Sequence, residues 1–237
     1  MLIFEYLCNK LKKMKILVFG DIHGLSDWEK ILSRETFDTV VFLGDYVDSH
    51  ENLNSTVFKT TLHKLIDLKQ QLQDRCVLLY GNHDASYLNN EQSSQWNKKT
   101  NDECLEHLQY LYDERLIQPV FIHDDIIFSH AGVSKTWLSD IACLSDVHDV
   151  TFENLPLCTF DFNVYCGYDQ YGDTVSQSPI WIRPGSLLQD KIDGYRQIVG
   201  HTRMEVPKEI DGCFFIDTMP KYYAIVENGT VVFKQNL

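Results

Sequence analysis

Long hydrophobic runs are missing from this sequence: none approaches the roughly 18–20 residues that a membrane-spanning helix needs. No C-x-x-C pair occurs, and the seven cysteines (Cys8, Cys76, Cys104, Cys143, Cys158, Cys166 and Cys213) are odd in number. They read as reduced, mostly buried thiols of a cytoplasmic protein, not as a disulfide framework. Positive charge is scarce as well. Lys and Arg number 21 against 34 Asp and Glu, a formal net charge of −13. Without a basic field to gather phosphate backbones, a nucleic-acid partner is excluded from the expectation, as is a membrane. No internal repeat, low-complexity tract or domain linker interrupts the chain. What is there is ordinary globular composition, 44% hydrophobic and 23% charged over 237 residues. One domain of that length buries roughly 70% of its unfolded surface and needs no staple.

The opening stretch MLIFEYLCNKLKKMKILVFG interrupts its apolar residues with Glu5 and places its lysines after them. That is the wrong order for a secretory signal. Residues 1–13 read as an upstream extension, with a small amphipathic helix as the other reading, and the domain proper as 14–237. Three apolar runs then end on a glycine and a polar residue: Ile16–Phe19 before Gly20-Asp21, Thr39–Leu43 before Gly44-Asp45, and Cys76–Tyr80 before Gly81-Asn82. Such runs predict buried strands. Between the second and third, residues 53–72 carry apolar positions at helical spacing. Strand, helix, strand means parallel pairing, and sites in open α/β sheets form beyond the carboxyl ends of the strands. Asp21, Asp45 and Asn82 should therefore converge. Later, 120–122 and 126–128 predict a hairpin, 134–146 a helix, and 197–199, 213–216, 222–226 and 230–234 short strands, with Asn228-Gly229 turning the last pair. Residues 155–180 have no period. Their Asp161, Tyr165, Tyr168, Asp169, Tyr171 and Asp173 either border a site or belong to a solvated loop whose tyrosines pack on the core.

Five segments bring together ligand-type residues: Gly20-Asp21-Ile22-His23-Gly24, Gly44-Asp45-Tyr46-Val47-Asp48, Gly81-Asn82-His83-Asp84, Ser129-His130-Ala131-Gly132 and Gly200-His201-Thr202. Carboxylate, imidazole and one amide oxygen suit manganese, iron or zinc and argue against a thiolate site. Glycines beside the ligands allow sharp turns and close approach. Each segment alone is weak; a lone His130 is more often a satisfied core histidine. Gathering all of them at one sheet edge is costly unless a cation compensates.

With these motifs the sequence resembles the calcineurin-like metallophosphoesterases, in particular the protein serine/threonine phosphatase branch and its bacterial and phage relatives. The motifs run in the family's order from about residue 15 to 202. The resemblance implies an α/β fold, an αββα sandwich of two mixed β-sheets flanked by helices. It implies two divalent metal ions per chain, manganese first, with iron or zinc as the other fits. Asp21 and His23 would bind the first, Asp45 would bridge both, and Asn82, His130 and His201 would bind the second. His83 matches the family's general acid and Asp48 the carboxylate that orients it. The implied activity is hydrolysis of phosphate monoesters, with phosphoserine or phosphothreonine in proteins as substrate, by a hydroxide held between the metals. Arg203 stands where related phosphodiesterases have a histidine, which favours the phosphatase branch.

The second segment departs from the family. Where protein phosphatases continue with Arg-Gly, this chain has Ser49-His50, which either contact phosphate weakly or are plain loop residues. Arg183, in Ile180-Trp181-Ile182-Arg183, resembles the tryptophan-x-arginine stretch of the bacterial and phage relatives and is expected to grip phosphate, with Arg203 as a second candidate. Asp84 replaces a glutamate and keeps its charge. The missing arginine leaves open a small-molecule reading, a dinucleoside polyphosphate hydrolase or nucleotide phosphatase. A non-catalytic binding module on the same scaffold is the other class, against which stands the full set of ligand types.

Overall fold

The apolar runs form strands whose successive side chains face opposite ways. A computed structural model describes residues 14–49, 54–90, 95–153 and 173–237. β1 (Lys15–Phe19), β2 (Thr39–Phe42) and β3 (Cys76–Leu79) lie parallel and in register, Phe19 beside Phe42 and Phe42 beside Leu78. The crossovers are α1 (Asp27–Arg34) and α2 (Ser55–Leu72). The Asn54 side chain caps α2 by accepting the Thr56 N–H, and Phe58, Thr61, Leu62 and Leu65 form its buried stripe. After β3 come α3 (Asn82–Leu88) and α4 (Lys98–Asp113). β4 (Ile117–Gln118) joins one edge, while β10 (Tyr222–Glu227) and β11 (Thr230–Gln235) add antiparallel on the other, in the order β11-β10-β1-β2-β3-β4.

The second sheet, β5-β6-β7-β9-β8, contains β5 (Val120–His123), β6 (Ile126–Ser129), β7 (Arg196–Val199), β8 (Lys208–Ile210) and β9 (Cys213–Phe215). Both sheets mix parallel and antiparallel pairs. Alternation along the strands sets the layers. Ile16, Val18, Val41, Leu43, Val77 and Leu79 meet Ile126, Phe128, Ile198 and Phe214 between the sheets. Leu17, Phe19, Val40, Phe42 and Leu78 face the other way, onto Trp28, Ile31, Phe58, Leu62, Cys104 and Leu108 of the helices. On the far side of the second sheet, Leu187 of α5 (Pro184–Asp190) packs on Val199 and Phe215. The result is the αββα sandwich of two mixed sheets.

Where 134–146 was expected to be helical, one wide helical turn forms, Trp137–Ile141. The reason is local: Ser134 lies in an isolated bridge to Lys191, and its hydroxyl accepts the Trp137 N–H, so the chain is tied down before a regular helix can start. Residues 1–13, with Cys8, and most of 155–180, including Cys158, Asp161, Tyr165, Cys166, Tyr168, Asp169 and Tyr171, lie outside the described residues. Asp173 is described. It is buried, and its two oxygens accept the Arg183 and Ser186 N–H groups, which fixes the start of α5. Of the described cysteines, Cys76, Cys104 and Cys213 are buried free thiols and Cys143 is exposed. No described helix is long and apolar enough to cross a membrane.

Candidate metal centre

Each ligand-type residue stands one to four positions past a strand of the sandwich, and the two sheets bring their ends together. Asp21 follows β1, Asp45 follows β2, and Asn82 and His83 open α3 directly after β3. His130 and His201 follow β6 and β7 in the second sheet. Backbone contacts knit these turns. The His23 N–H donates to the Asp45 carbonyl at 2.7 Å, and the Gly200 N–H to the His130 carbonyl at 2.8 Å. The glycines are needed for closeness: a Cβ on Gly81 would fall 2.2 Å from Asp45 Oδ1, and one on Gly200 would fall 2.1 Å from Asp21 Oδ1. His23, Asp45, Asp48 and His201 have left-handed backbone, with φ of 43°, 52°, 63° and 62°. Residues other than glycine rarely hold it, and then at sites where the surroundings dictate it.

The histidine tautomers follow from their partners. His130 Nδ1 donates to the Leu43 carbonyl at 2.8 Å, so its neutral ring presents a lone pair at Nε2. That atom lies 2.9 Å from Asn82 Oδ1, 3.2 Å from His201 Nδ1 and 3.4 Å from Asp45 Oδ2. His201 is fixed the other way round: Nε2 donates to the Trp181 carbonyl at 3.0 Å, leaving the lone pair on Nδ1. Burial holds both rings below the usual histidine range, His201 the further because His130 and Arg183 add to it. Several acceptor lone pairs thus face one another with no proton between them. Across Asp45, His23 Nδ1 donates to the Val47 and Asp48 carbonyls at 3.1 and 3.0 Å. Its Nε2 stands 4.0 Å from Asp21 Oδ2 and 3.9 Å from Asp45 Oδ2. Burial pushes Asp21 well above the usual carboxylate range, and the charges of Asp217 and Asp45 add to this. For Asp45, His130, His83 and His23 together outweigh burial and hold it below.

Among the described residues two groups could hold a cation, Asp21/His23/Asp45 and Asp45/His130/His201, each with its ligand atoms within 4.8 Å of one another. Asn82 Oδ1 adjoins the second. Converging lone pairs and a carboxyl that cannot keep its charge alone are the electrostatic features a divalent cation would relieve. The donor set therefore fits such ions.

Around this core lie the remaining candidates. His83 Nδ1 is 2.9 Å from Asp48 Oδ2. Burial opposes the charged ring, but Asp45 and the bond to Asp48 raise it to about 9. Arg183 lies over the Trp181 ring at 5.5 Å and donates to Thr202 Oγ1 at 3.2 Å, beside His201. Arg203 is largely exposed and turns to buried Asp217 at 3.7 Å. Ser49 is half-buried next to Asp48, and His50 lies outside the described residues. Asp84 sits behind the ligands, accepting the N–H groups of Asp45, Tyr46 and Gly81 at 2.9, 2.8 and 3.0 Å. Burial and the Asp45 charge push it up to about 8 against the pull of those donors. Two further neighbours of the site carry no mark in the sequence. Asp217 follows β9 and loads Asp21 with negative charge, and Tyr87 donates its hydroxyl to Asp48 Oδ1.

Comparison with known proteins bears on the family and the fold. A model of the calcineurin-like phosphoesterases matches residues 14–180. The fold resembles that of a cold-active protein-tyrosine phosphatase from a psychrophilic Shewanella species, with TM-score 0.62 and 17% identity over 94% of this chain and 78% of that one. A protein serine/threonine phosphatase from Saccharomyces cerevisiae superposes with TM-score 0.55 and 14% identity over 95% of this chain and 80% of its own. Among curated proteins, no sequence matches.

Proposed function

Since the chain belongs to the calcineurin-like phosphoesterase family, we propose that it is a phosphatase that hydrolyses phosphate monoesters with two divalent cations, acting first on phosphoserine and phosphothreonine in proteins. One observation carries the reading: Asp45 is common to both donor groups, so a single carboxylate can serve two neighbouring ions. Asp21 and His23 complete one set, and Asn82, His130 and His201 the other. Carboxylate, imidazole and amide donors without thiolate suit manganese first, then iron or zinc. Bound there, such ions supply Lewis-acid charge that activates water and offsets the charge of the phosphoryl group.

The chain's own residues supply the rest. Asp48 fixes the His83 ring through Nδ1, leaving Nε2 as the atom that hands a proton to the departing alkoxide. Arg183, braced on Trp181 and Thr202, supplies positive charge for phosphate oxygens. The partner is then a phosphorylated protein or a small phosphorylated molecule. With net charge −13, nucleic acid is not favoured. A cytoplasmic setting is part of the proposal, supported by the free thiols of Cys76, Cys104, Cys143 and Cys213.

A second reading is a small-molecule phosphohydrolase, favoured by Ser49, which stands where the protein-phosphatase branch has arginine and cannot grip phosphate bidentately. The test is phosphate release with manganese from phosphoserine, phosphothreonine and phosphotyrosine peptides, diadenosine tetraphosphate and nucleotides. Phosphotyrosine joins the panel because the Shewanella protein is described as a tyrosine phosphatase. Highest kcat/KM on phosphoserine or phosphothreonine peptides supports the first reading, and highest on nucleotides the second. If nothing is released, even from p-nitrophenyl phosphate, and Asp45→Asn folds like the wild type, the scaffold is a binding module.

A further inference from the structure

Asp48 orients His83 with one carboxylate oxygen. Its other oxygen has a partner of its own: the Tyr87 hydroxyl donates to Asp48 Oδ1 at 2.5 Å, while His83 Nδ1 takes Oδ2 at 2.9 Å. His83 and Tyr87 lie one turn apart on α3, the spacing that puts two side chains on the same face. Tyr87 is itself held. The Asn97 N–H donates to its oxygen at 3.2 Å, so the phenol's own proton is directed to Asp48. Its ring stacks on Trp96, with centroids 6.1 Å apart and planes at 21°. Both Tyr87 and Asp48 are buried, so water does not substitute for the bond.

A carboxylate held at one oxygen can still swing about its last bond, because terminal torsions of this kind have broad minima. Held at both oxygens by separate donors, it cannot. We infer that Tyr87 is a positioning residue for proton transfer, locking the Asp48 carboxylate so that its second oxygen holds His83 ready to protonate the leaving group. The inference rests on the phosphatase reading and deepens it. Tyr87 acts through Asp48, to which its hydroxyl donates.

The test uses Tyr87→Phe in the full chain with manganese and two substrates, p-nitrophenyl phosphate and phenyl phosphate. The first leaving group departs without a proton, and the second needs one. His83→Asn should raise the ratio of their kcat values by about 10²-fold, the ordinary contribution of a general acid. Tyr87→Phe should raise it about tenfold, with KM and metal content unchanged, because a charge-assisted hydrogen bond is worth roughly that factor. In the His83→Asn background, Tyr87→Phe should add nothing to the ratio. Equal losses on both substrates, an unchanged ratio, loss of metal or loss of fold would each make Tyr87 a packing residue and overturn the inference. If His83→Asn itself leaves the ratio unchanged, the proton-donor reading falls first, separately from the role of Tyr87.

Discussion

At the scale of single residues, the two candidate arginines differ in what they can do. Arg183 is braced beside His201, whereas Arg203, itself largely exposed, is committed to buried Asp217. Arg183→Ala should raise KM and weaken competitive inhibition by free phosphate by about tenfold or more, the scale of a lost charge-assisted bond. Arg203→Ala should leave phosphate inhibition within about twofold, since its guanidinium is turned to the Asp217 carboxylate. Steady-state kinetics with inorganic phosphate as inhibitor checks both. The candidate ligands that the structure gathers stood out in the sequence because, His130 apart, each stands beside a glycine shortly after an apolar run. Tyr87 did not, because a tyrosine one turn after a histidine occurs on many helices and only Asp48, brought in from the loop after β2, gives it meaning. Asp217 was hidden for a similar reason. It follows a three-residue strand and becomes acidic company for Asp21 only once the two sheets meet.

At the scale of elements, the turns after β2 and β3 form one unit. Asp84 clasps the N–H groups of Asp45, Tyr46 and Gly81, and the Gly81 backbone lies against Asp45. Asp84→Ala strands three buried donors and should lower unfolding free energy by about 3 kcal/mol or more, measured by denaturant titration. Gly81→Ala has a different expected profile. A methyl 2.2 Å from Asp45 Oδ1 must displace that carboxylate, so metal content and activity should fall together while the circular dichroism spectrum stays that of the wild type. The strands β1, β2, β3, β5, β6, β7, β9, β10 and β11 were legible from apolar runs and turn residues, as was α2 from its stripe. β4 and β8 were not: they have two and three residues, and β8 is exposed throughout, so no hydrophobic pattern marks them. α3 was read only as the turn after a strand because its own residues are mostly ligand and capping groups.

At the scale of the whole molecule, the centre lies where two sheets meet, and residues as distant as Asp21 and His201 face each other across it, joined by the His201 N–H to Asp21 Oδ1 bond at 2.9 Å. Metal binding should therefore stabilise the entire sandwich. At manganese about 100-fold above its dissociation constant, a single bound ion adds about 2.7 kcal/mol. For a domain of this size that is a rise in Tm of roughly 5–10 °C. A chelator, which removes both ions, should lower the thermal midpoint by at least that amount, and added manganese should restore it. The central claim, that Asp45 belongs to two cation sites at once, is tested most directly by anomalous diffraction from crystals grown with manganese. The account predicts two peaks about 3.5–4 Å apart, one between Asp21 and His23, the other between His130 and His201, with the Asp45 carboxylate between them. A single peak, or manganese bound away from Asp45, would contradict it.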